Sequence, residues 1–347
     1  NAAKVSLSNN VATIGNSVLS SGDWYRFYVE KSGVFKISKS FLSSLGMNTN
    51  VDPRNIKIFG NGGRMVPLLN SEEYPNDLTE NAIKFIGESD GSFDSQDYIL
   101  FYAEGVDNWS QENLTNLNLY SNKSYYYVTA SGGAGKRMVE LAQPTDSPIL
   151  TINTFDDYKF HEIDKINIAK LGRVWFGEQF SVNNSQSFDF DFPNLVTSAP
   201  VNFRIHLASA AAVVTSFKAE VNSQVIGTAN FSAISGNSSS EAFENYITNN
   251  VAVNSNTFSV KITYENGGAP NSKGYLNYIN VKAKRELKGT GKQFLFQYDD
   301  AAATIGVGKF DISNATSINE VWDITDLYNV TKIENTASNT FSYTANL

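Results

Sequence analysis

Beyond residue 185 the chain repeats one pattern that permits little except half-buried β-strands. Phe188, Phe190 and Phe192 fall on one face, opposite Asp189 and Asp191. Phe203, Ile205 and Leu207 oppose Asn202, Arg204 and His206. Phe258, Val260, Ile262 and Tyr264 oppose Ser259, Lys261 and Thr263, and Phe294, Phe296 and Tyr298 oppose Leu295 and Gln297. Successive strand side chains point to opposite faces, so a period of two makes one face apolar and the other wet. Asn, Ser and Gly clusters separate the runs. The expectation is an antiparallel β-sandwich, with a jelly roll as the arrangement. Val321-Trp322-Asp323-Ile324-Thr325 and Phe341-Ser342-Tyr343-Thr344 read as further strands.

The first half is built around a different unit. Ile83-Lys84-Phe85-Ile86 and Tyr98-Ile99-Leu100-Phe101-Tyr102 are β-prone runs. The polar connection Gly87 to Asp97 joins them, which predicts a hairpin with a long acidic loop. Before it, Val5 to Leu19 predicts a strand and a turn, and Trp24 to Val29 a strand. Lys31-Ser32-Gly33 then turns the chain into Val34-Phe35-Lys36-Ile37. Ser38 caps an expected helix over Lys39 to Leu45, with Gly46 as its left-handed stop. Ile56 to Phe59 is a strand, Gly60-Asn61-Gly62-Gly63 a turn, and Met65-Val66-Pro67-Leu68 a returning strand. The glycine turn lacks the Lys-Ser/Thr of a phosphate-binding loop, so a β-turn is the expectation. Tyr125 to Val128 adds another strand, and Ser131 to Lys136 is a flexible loop.

With 347 residues the chain is long for a single core, so two domains are expected. Prolines and small polar residues at Gln143-Pro144-Thr145-Asp146-Ser147-Pro148 place the boundary there. The reading is mainly β: an N-terminal β-rich domain with a short helix over 1–147, then a jelly-roll-like sandwich over 148–347. Hydrophobic content of 41% excludes a disordered chain. Net charge of −8 opposes a phosphate backbone and excludes nucleic acid as a partner. No apolar run approaches membrane-spanning length. The start at Asn1-Ala2-Ala3, without Met, is what removal of a signal peptide or a recombinant cut leaves. Asn113-Leu114-Thr115 and Asn329-Val330-Thr331 match the glycan acceptor triplet, which an Asn- and Ser-rich chain produces by chance.

The sequence contains no cysteine, which excludes thiol nucleophiles, disulfides and thiolate metal sites. A Ser-His-Asp triad must use His161 or His206, the two histidines. His206 sits on the polar face of its strand, where a solvent-exposed or turn-bonded ring is expected. His161 has Glu162 and Asp164 beside it, but no Gly-x-Ser-x-Gly elbow accompanies them. Asp90, Ser92, Asp94 and Asp97 offer hard oxygen ligands for calcium, though a Gly at the sixth position and a Glu at the twelfth are missing. The other reading of these four is Asx turns that hold the hairpin loop. Asp156-Asp157 and Asp299-Asp300 read as strand ends. In Gly172-Arg173-Val174-Trp175-Phe176-Gly177-Glu178, Arg173 and Glu178 flank Trp175, and the expectation is an ion pair over the ring that fixes a domain contact. Trp175, like Trp109, is also a carbohydrate platform in the alternative reading.

Four of these stretches, taken in order, resemble a known family. They are Trp24 to Phe27 with Val34 to Ile37; Ile56 to Gly60; Asp90-Gly91-Ser92-Phe93-Asp94 with Asp97 to Tyr102; and Gly172 to Glu178. The combination is similar to the N-terminal region of the type IX secretion system sortases, gingipain-like cysteine peptidases of Bacteroidota. The resemblance implies an enzyme that removes C-terminal sorting domains from exported cargo and joins the cargo to a surface anchor. That family works through a Cys-His pair in a caspase-like domain downstream of the matched region, so no catalytic residue carries over to this Cys-free chain. The implied role is non-catalytic: scaffolding the downstream peptidase domain and docking partners. The implied partners are an outer-membrane barrel of PorV type, other attachment-complex proteins and cargo sorting domains, at the outer face of the outer membrane. No cofactor is implied; calcium at the acidic loop is the one metal in view. A glycan-binding jelly-roll module and an inhibitory prodomain are the alternatives.

Overall fold

The computed structural model describes residues 16–236, 238–336 and 338–347. The strand expected from Val5 lies for the most part outside them. Val18–Ser20 is a 3-10 turn whose cap, Ser17, accepts the Leu19 N–H. The chain forms two compact units. One holds the chain up to Asp107 together with Tyr120–Val139 and Asp323–Thr331; the other holds Asn108–Leu119, Glu140–Trp322 and Lys332–Leu347.

The first unit has strands β1 (Tyr25–Val29), β2 (Gly33–Ser38), β3 (Lys57–Phe59), β4 (Glu80–Asn81), β5 (Lys84–Ile86), β6 (Tyr98–Ala103) and β7 (Ser124–Thr129), and helix α1 (Lys39–Ser44). They form two sheets, ordered β1-β7-β3-β4 and β2-β6-β5. The expected hairpin is present, with Phe85 opposite Ile99 in an antiparallel β5–β6 pair. Gly87 opens its loop at φ +98, and a Cβ there would stand 1.9 Å from an Asp97 carboxylate oxygen. Only glycine tolerates both the left-handed backbone and that approach. α1 begins at Ser38, whose hydroxyl accepts the Phe41 N–H, and it ends at Gly46 with φ +90. β1 and β2 are adjacent in sequence yet belong to different sheets, with Phe27, Ile37, Leu42, Phe101 and Tyr126 buried in a shared core. The returning strand expected at Met65–Leu68 does not form; β3 pairs instead with β4. Pro67 has no N–H for a ladder, which favours that outcome.

In the second unit the chain adds β8 (Val139–Glu140), β9 (Leu150–Ile152), β10 (Thr154–Glu162), β11 (Gln179–Phe180), β12 (Ser185–Asp191), β13 (Val201–Ala210), β14 (Thr215–Val221), β15 (Gln224–Phe231), β16 (Phe243–Val251), β17 (Thr257–Glu265), β18 (Lys273–Glu286), β19 (Val307–Ile312), β20 (Glu320–Asp323), β21 (Thr331–Glu334) and β22 (Phe341–Asn346). One sheet runs β10-β18-β13-β16, with β11 beside β18, and the other runs β12-β17-β14-β15. Counting these eight long strands 1 to 8 in chain order, the sheets read 1-8-3-6 and 2-7-4-5. That order defines a jelly roll.

The alternating apolar residues meet between its sheets: Phe192, Phe203, Phe217, Val260, Ile262 and Ile279 are almost wholly buried. Each contributes about 1.5–3 kcal/mol relative to exposure. A smaller sheet, β22-β19-β9, covers a separate core of Phe155, Ile312 and Phe341. The strand expected over Phe294–Tyr298 is not formed. Gln297 makes a single bridge to Asp156, while Phe294 and Phe296 pack on Phe155 at 5.8 and 6.2 Å. The alternation there reflects packing of an extended chain rather than ladder pairing.

Candidate functional site

The outer face of β10-β18-β13-β16 carries a connected polar cluster. Antiparallel register places Glu162 of β10 opposite Tyr278 of β18, Tyr278 opposite His206 of β13, and His206 opposite Tyr246 of β16. The β13–β18 register shifts between His206 and Leu207, so Asn277 lies at the irregularity beside the histidine. Bulges re-aim side chains in this way.

His206 is 2% exposed, which corrects the expectation of a solvent-exposed or turn-bonded ring. Its strand face is covered rather than wet. Nε2 stands 2.9 Å from Glu244 Oε2, and the ring stacks on Tyr246 at 4.3 Å between centroids. That contact to His206 holds the Glu244 carboxyl below the usual range. In the amide orientation that satisfies its neighbours, Asn277 accepts from His206 Nδ1 at 3.0 Å and donates to Glu162 Oε1 at 3.3 Å and to the Trp175 carbonyl at 3.2 Å.

Glu162 completes the chain of bonds. It accepts from Thr115 Oγ1 at 2.6 Å, from the Asn116 N–H at 2.7 Å and from Asn116 Nδ2 at 2.8 Å. Burial pushes its carboxyl above the usual range, and the bonds from Thr115 and Asn116 pull the other way. Asn116 Nδ2 also reaches Asn280 Oδ1 at 2.7 Å. Chemically this is a clamp: a buried carboxylate and two amides hold segment Asn108–Leu119 against the sheet. Among the described residues no serine or threonine hydroxyl is bonded to either histidine, so no nucleophile–base pair is assembled.

The other sequence-derived residues separate. His161 bonds Glu178 at 2.8 Å and packs on Phe188 at 4.5 Å. Arg173 donates to Asn113 Oδ1 at 2.6 Å. The expected Arg173–Glu178 pair is therefore not formed, because Glu178 is held beside β18, its carbonyl accepting the Leu276 N–H and its carboxylate bonding His161, while Arg173 reaches Asn113. Trp175 and Trp109 are each 37% exposed. In the acidic loop, Asp90 accepts the Ser92 N–H at 2.9 Å, the bond of an Asx turn, and Asp97 reaches back to accept the Asp94 N–H at 2.7 Å. Among the described residues no group of three or more Asp, Glu or His side chains has metal-holding geometry.

Sequence reasoning missed the clamp formed by Glu162, Asn116 and Asn277, and the Glu244 partner of His206. It also missed that the two acidic pairs meet three cations of one strand. Asp156 lies 3.4 Å from Lys284 and 3.7 Å from Lys282, Asp299 bonds Lys282, and Asp157 lies 2.8 Å from Arg285. The signal was present in β18, where Lys282, Lys284 and Arg285 stand close together in sequence.

The fold defines a class: a β-rich unit with one short helix, followed by a jelly roll. No protein-family model and no curated protein matches the sequence. Among solved structures, dimeric latent PorU from Porphyromonas gingivalis is similar with a TM-score of 0.81 at 21% identity, over 95% of this chain and 31% of that one. The chain thus has the fold of a part of PorU and spans under a third of it, and identity this low shows the fold alone. A CBM36 domain of a xylanase from the hindgut metagenome of Trinervitermes trinervoides is 12% identical, covering 36% of this chain and 96% of its own, with a TM-score of 0.25. The insecticidal endotoxin Cry8Ea1 from Bacillus thuringiensis is 12% identical over 66% of this chain and 41% of its own, at 0.26. Neither superposition is close enough to carry an argument. No described helix is long and apolar enough to cross a membrane.

Proposed function

We propose that this chain is a non-catalytic part of a type IX secretion sortase at the bacterial cell surface, where it scaffolds the peptidase domain and docks partners. The observation that carries this reading is the fold likeness to a part of PorU over 95% of the chain, in a sequence with no cysteine. A Cys-dependent transferase needs a thiolate, which this chain cannot supply. On this reading 1–147 is the prodomain-like part and 148–347 the jelly-roll part. The excursion carrying Arg173, Trp175 and Glu178 faces a neighbouring domain. An outer-membrane barrel of PorV type and cargo sorting domains are the partners proposed.

The test uses the purified chain and the intact sortase of the same organism. The chain alone should leave sorting-domain cargo uncut, and deleting it from the sortase should abolish surface attachment of cargo. Cleavage by the chain alone, or attachment unchanged by the deletion, would overturn the reading. The matched PorU is a latent form, which favours a second reading as an inhibitory segment. Slower cargo cleavage when the chain is added to the isolated peptidase domain would support that role, and unchanged turnover would remove it.

A further inference from the structure

The outer face of the jelly roll holds an arginine without an acid. Arg204 of β13 is aligned with Thr248 of β16 and Asn280 of β18. Its guanidinium carbon lies 5.1 Å from the centre of the Tyr246 ring and 5.9 Å from that of Trp109. Both rings are 37% exposed. Among the described residues no carboxylate stands within ion-pairing distance of Arg204, whereas Lys282, Lys284 and Arg285 on β18 are each matched by an aspartate. One row along the strands, Asn202 donates to Asn250 Oδ1 at 2.8 Å, leaving the Asn202 oxygen and the Asn250 nitrogen for a further partner. Same-face residues on a strand are about 7 Å apart, so the ring pair, the guanidinium and the amide pair form one continuous patch.

We propose that this patch binds an anionic saccharide, a uronic-acid-bearing oligosaccharide. Its carboxylate takes the Arg204 fork, which presents paired N–H donors to a planar anion. The apolar face of a sugar ring lies on Tyr246 or Trp109, and hydroxyls bond the Asn202–Asn250 amides and Thr248. An acidic peptide is the weaker fit. It would call for several open cations, and the neighbouring ones are already neutralised on a chain of net charge −8. A cation without an acid, set between two rings and beside neutral amides, suits a ligand with one charge per ring and many hydroxyls.

The experiment is calorimetric titration of the full chain with trigalacturonic acid, its neutral galactose counterpart and a hexaglutamate peptide. Trigalacturonic acid should bind saturably, and roughly tenfold or more tighter than the neutral trisaccharide. Arg204→Met should cost a similar factor, and Trp109→Ala or Tyr246→Ala about fivefold or more, with thermal melting checked for each. Arg204→Lys keeps the charge and loses the fork, so it should still weaken binding if Arg204→Met fails to fold. Absent saturable binding, equal affinity for the neutral sugar, or tighter binding of hexaglutamate overturns the proposal. The assay contains no peptidase, so its failure leaves the sortase reading where it stands.

Discussion

Tyr126→Phe isolates one hydroxyl in the first unit. The Tyr126 ring is fully buried, stacked on Phe27 at 5.9 Å and edge-on to Phe101 at 5.4 Å. Its hydroxyl accepts the Glu104 N–H at 2.8 Å and donates to the Glu104 carbonyl at 3.2 Å. Phenylalanine keeps the ring and its burial, so the apolar contribution is unchanged and only the two bonds are lost. Each orphaned buried backbone group costs about 1–3 kcal/mol, and the substitution orphans two, the Glu104 N–H and carbonyl. The expected loss is therefore about 2–6 kcal/mol. Urea unfolding followed by near-UV circular dichroism should show a lower midpoint with an unchanged slope. Hydrogen exchange at the Glu104 amide should accelerate with it. A loss under about 1 kcal/mol, with Glu104 exchange unchanged, would show that the hydroxyl is incidental and the reasoning wrong.

Gly60→Ala places a Cβ 2.4 Å from the Tyr126 ring, so overpacking should cost about 1–3 kcal/mol; a native unfolding midpoint would refute it. Arg285→Met leaves Asp157, 13% exposed and 2.8 Å away, as a half-buried unpaired charge. A loss of about 3–5 kcal/mol is expected, largely recovered by adding Asp157→Asn; no recovery would count against the pairing. Burial raises the Glu162 carboxyl, so the native state holds that proton more tightly than the unfolded chain. Its stabilising contribution is full below the ordinary carboxyl range and lost as pH rises through the folded value. Glu162→Gln mimics the protonated acid, so the variant should gain stability relative to the native chain as pH climbs from about 4 and then level off. The gain amounts to about 1.4 kcal/mol for every tenfold difference in proton affinity between the folded and unfolded chains. A stability difference that stays flat with pH would refute the burial argument.

Local chemistry made much of the architecture legible. Phe188-Asp189-Phe190-Asp191 and Phe258 to Tyr264 obey the strand period over enough residues that only one face can be buried, and both are strands paired with each other. Ser38 and Gly46 set the ends of α1 through a side-chain acceptor and a left-handed backbone, both readable from residue type. β16 was not legible. Phe243 to Val251 contains three asparagines, residues that usually mark turns, and its place comes from pairing with β13 along nine positions. The same long-range pairing withheld a strand from Phe294–Tyr298, whose pattern was sound but whose neighbours supply one bridge.

The polar cluster was harder still, because its members are distant along the chain. Asn116 meets Glu162 across 46 residues and Asn280 across 164. No spacing rule connects such positions; they become neighbours only when β10, β18 and β13 take their register, and a slip of one residue would turn each side chain to the opposite face. That dependence reaches Arg204 as well. Trp109 belongs to the segment held by Thr115 and Asn116, and it packs edge-on to Tyr278 at 5.5 Å, beside the arginine. A buried carboxylate is a costly fastening compared with an apolar one. What it supplies here is direction: three donors from two consecutive residues fix the segment in one register, and so fix the ring that stands over the unmatched cation.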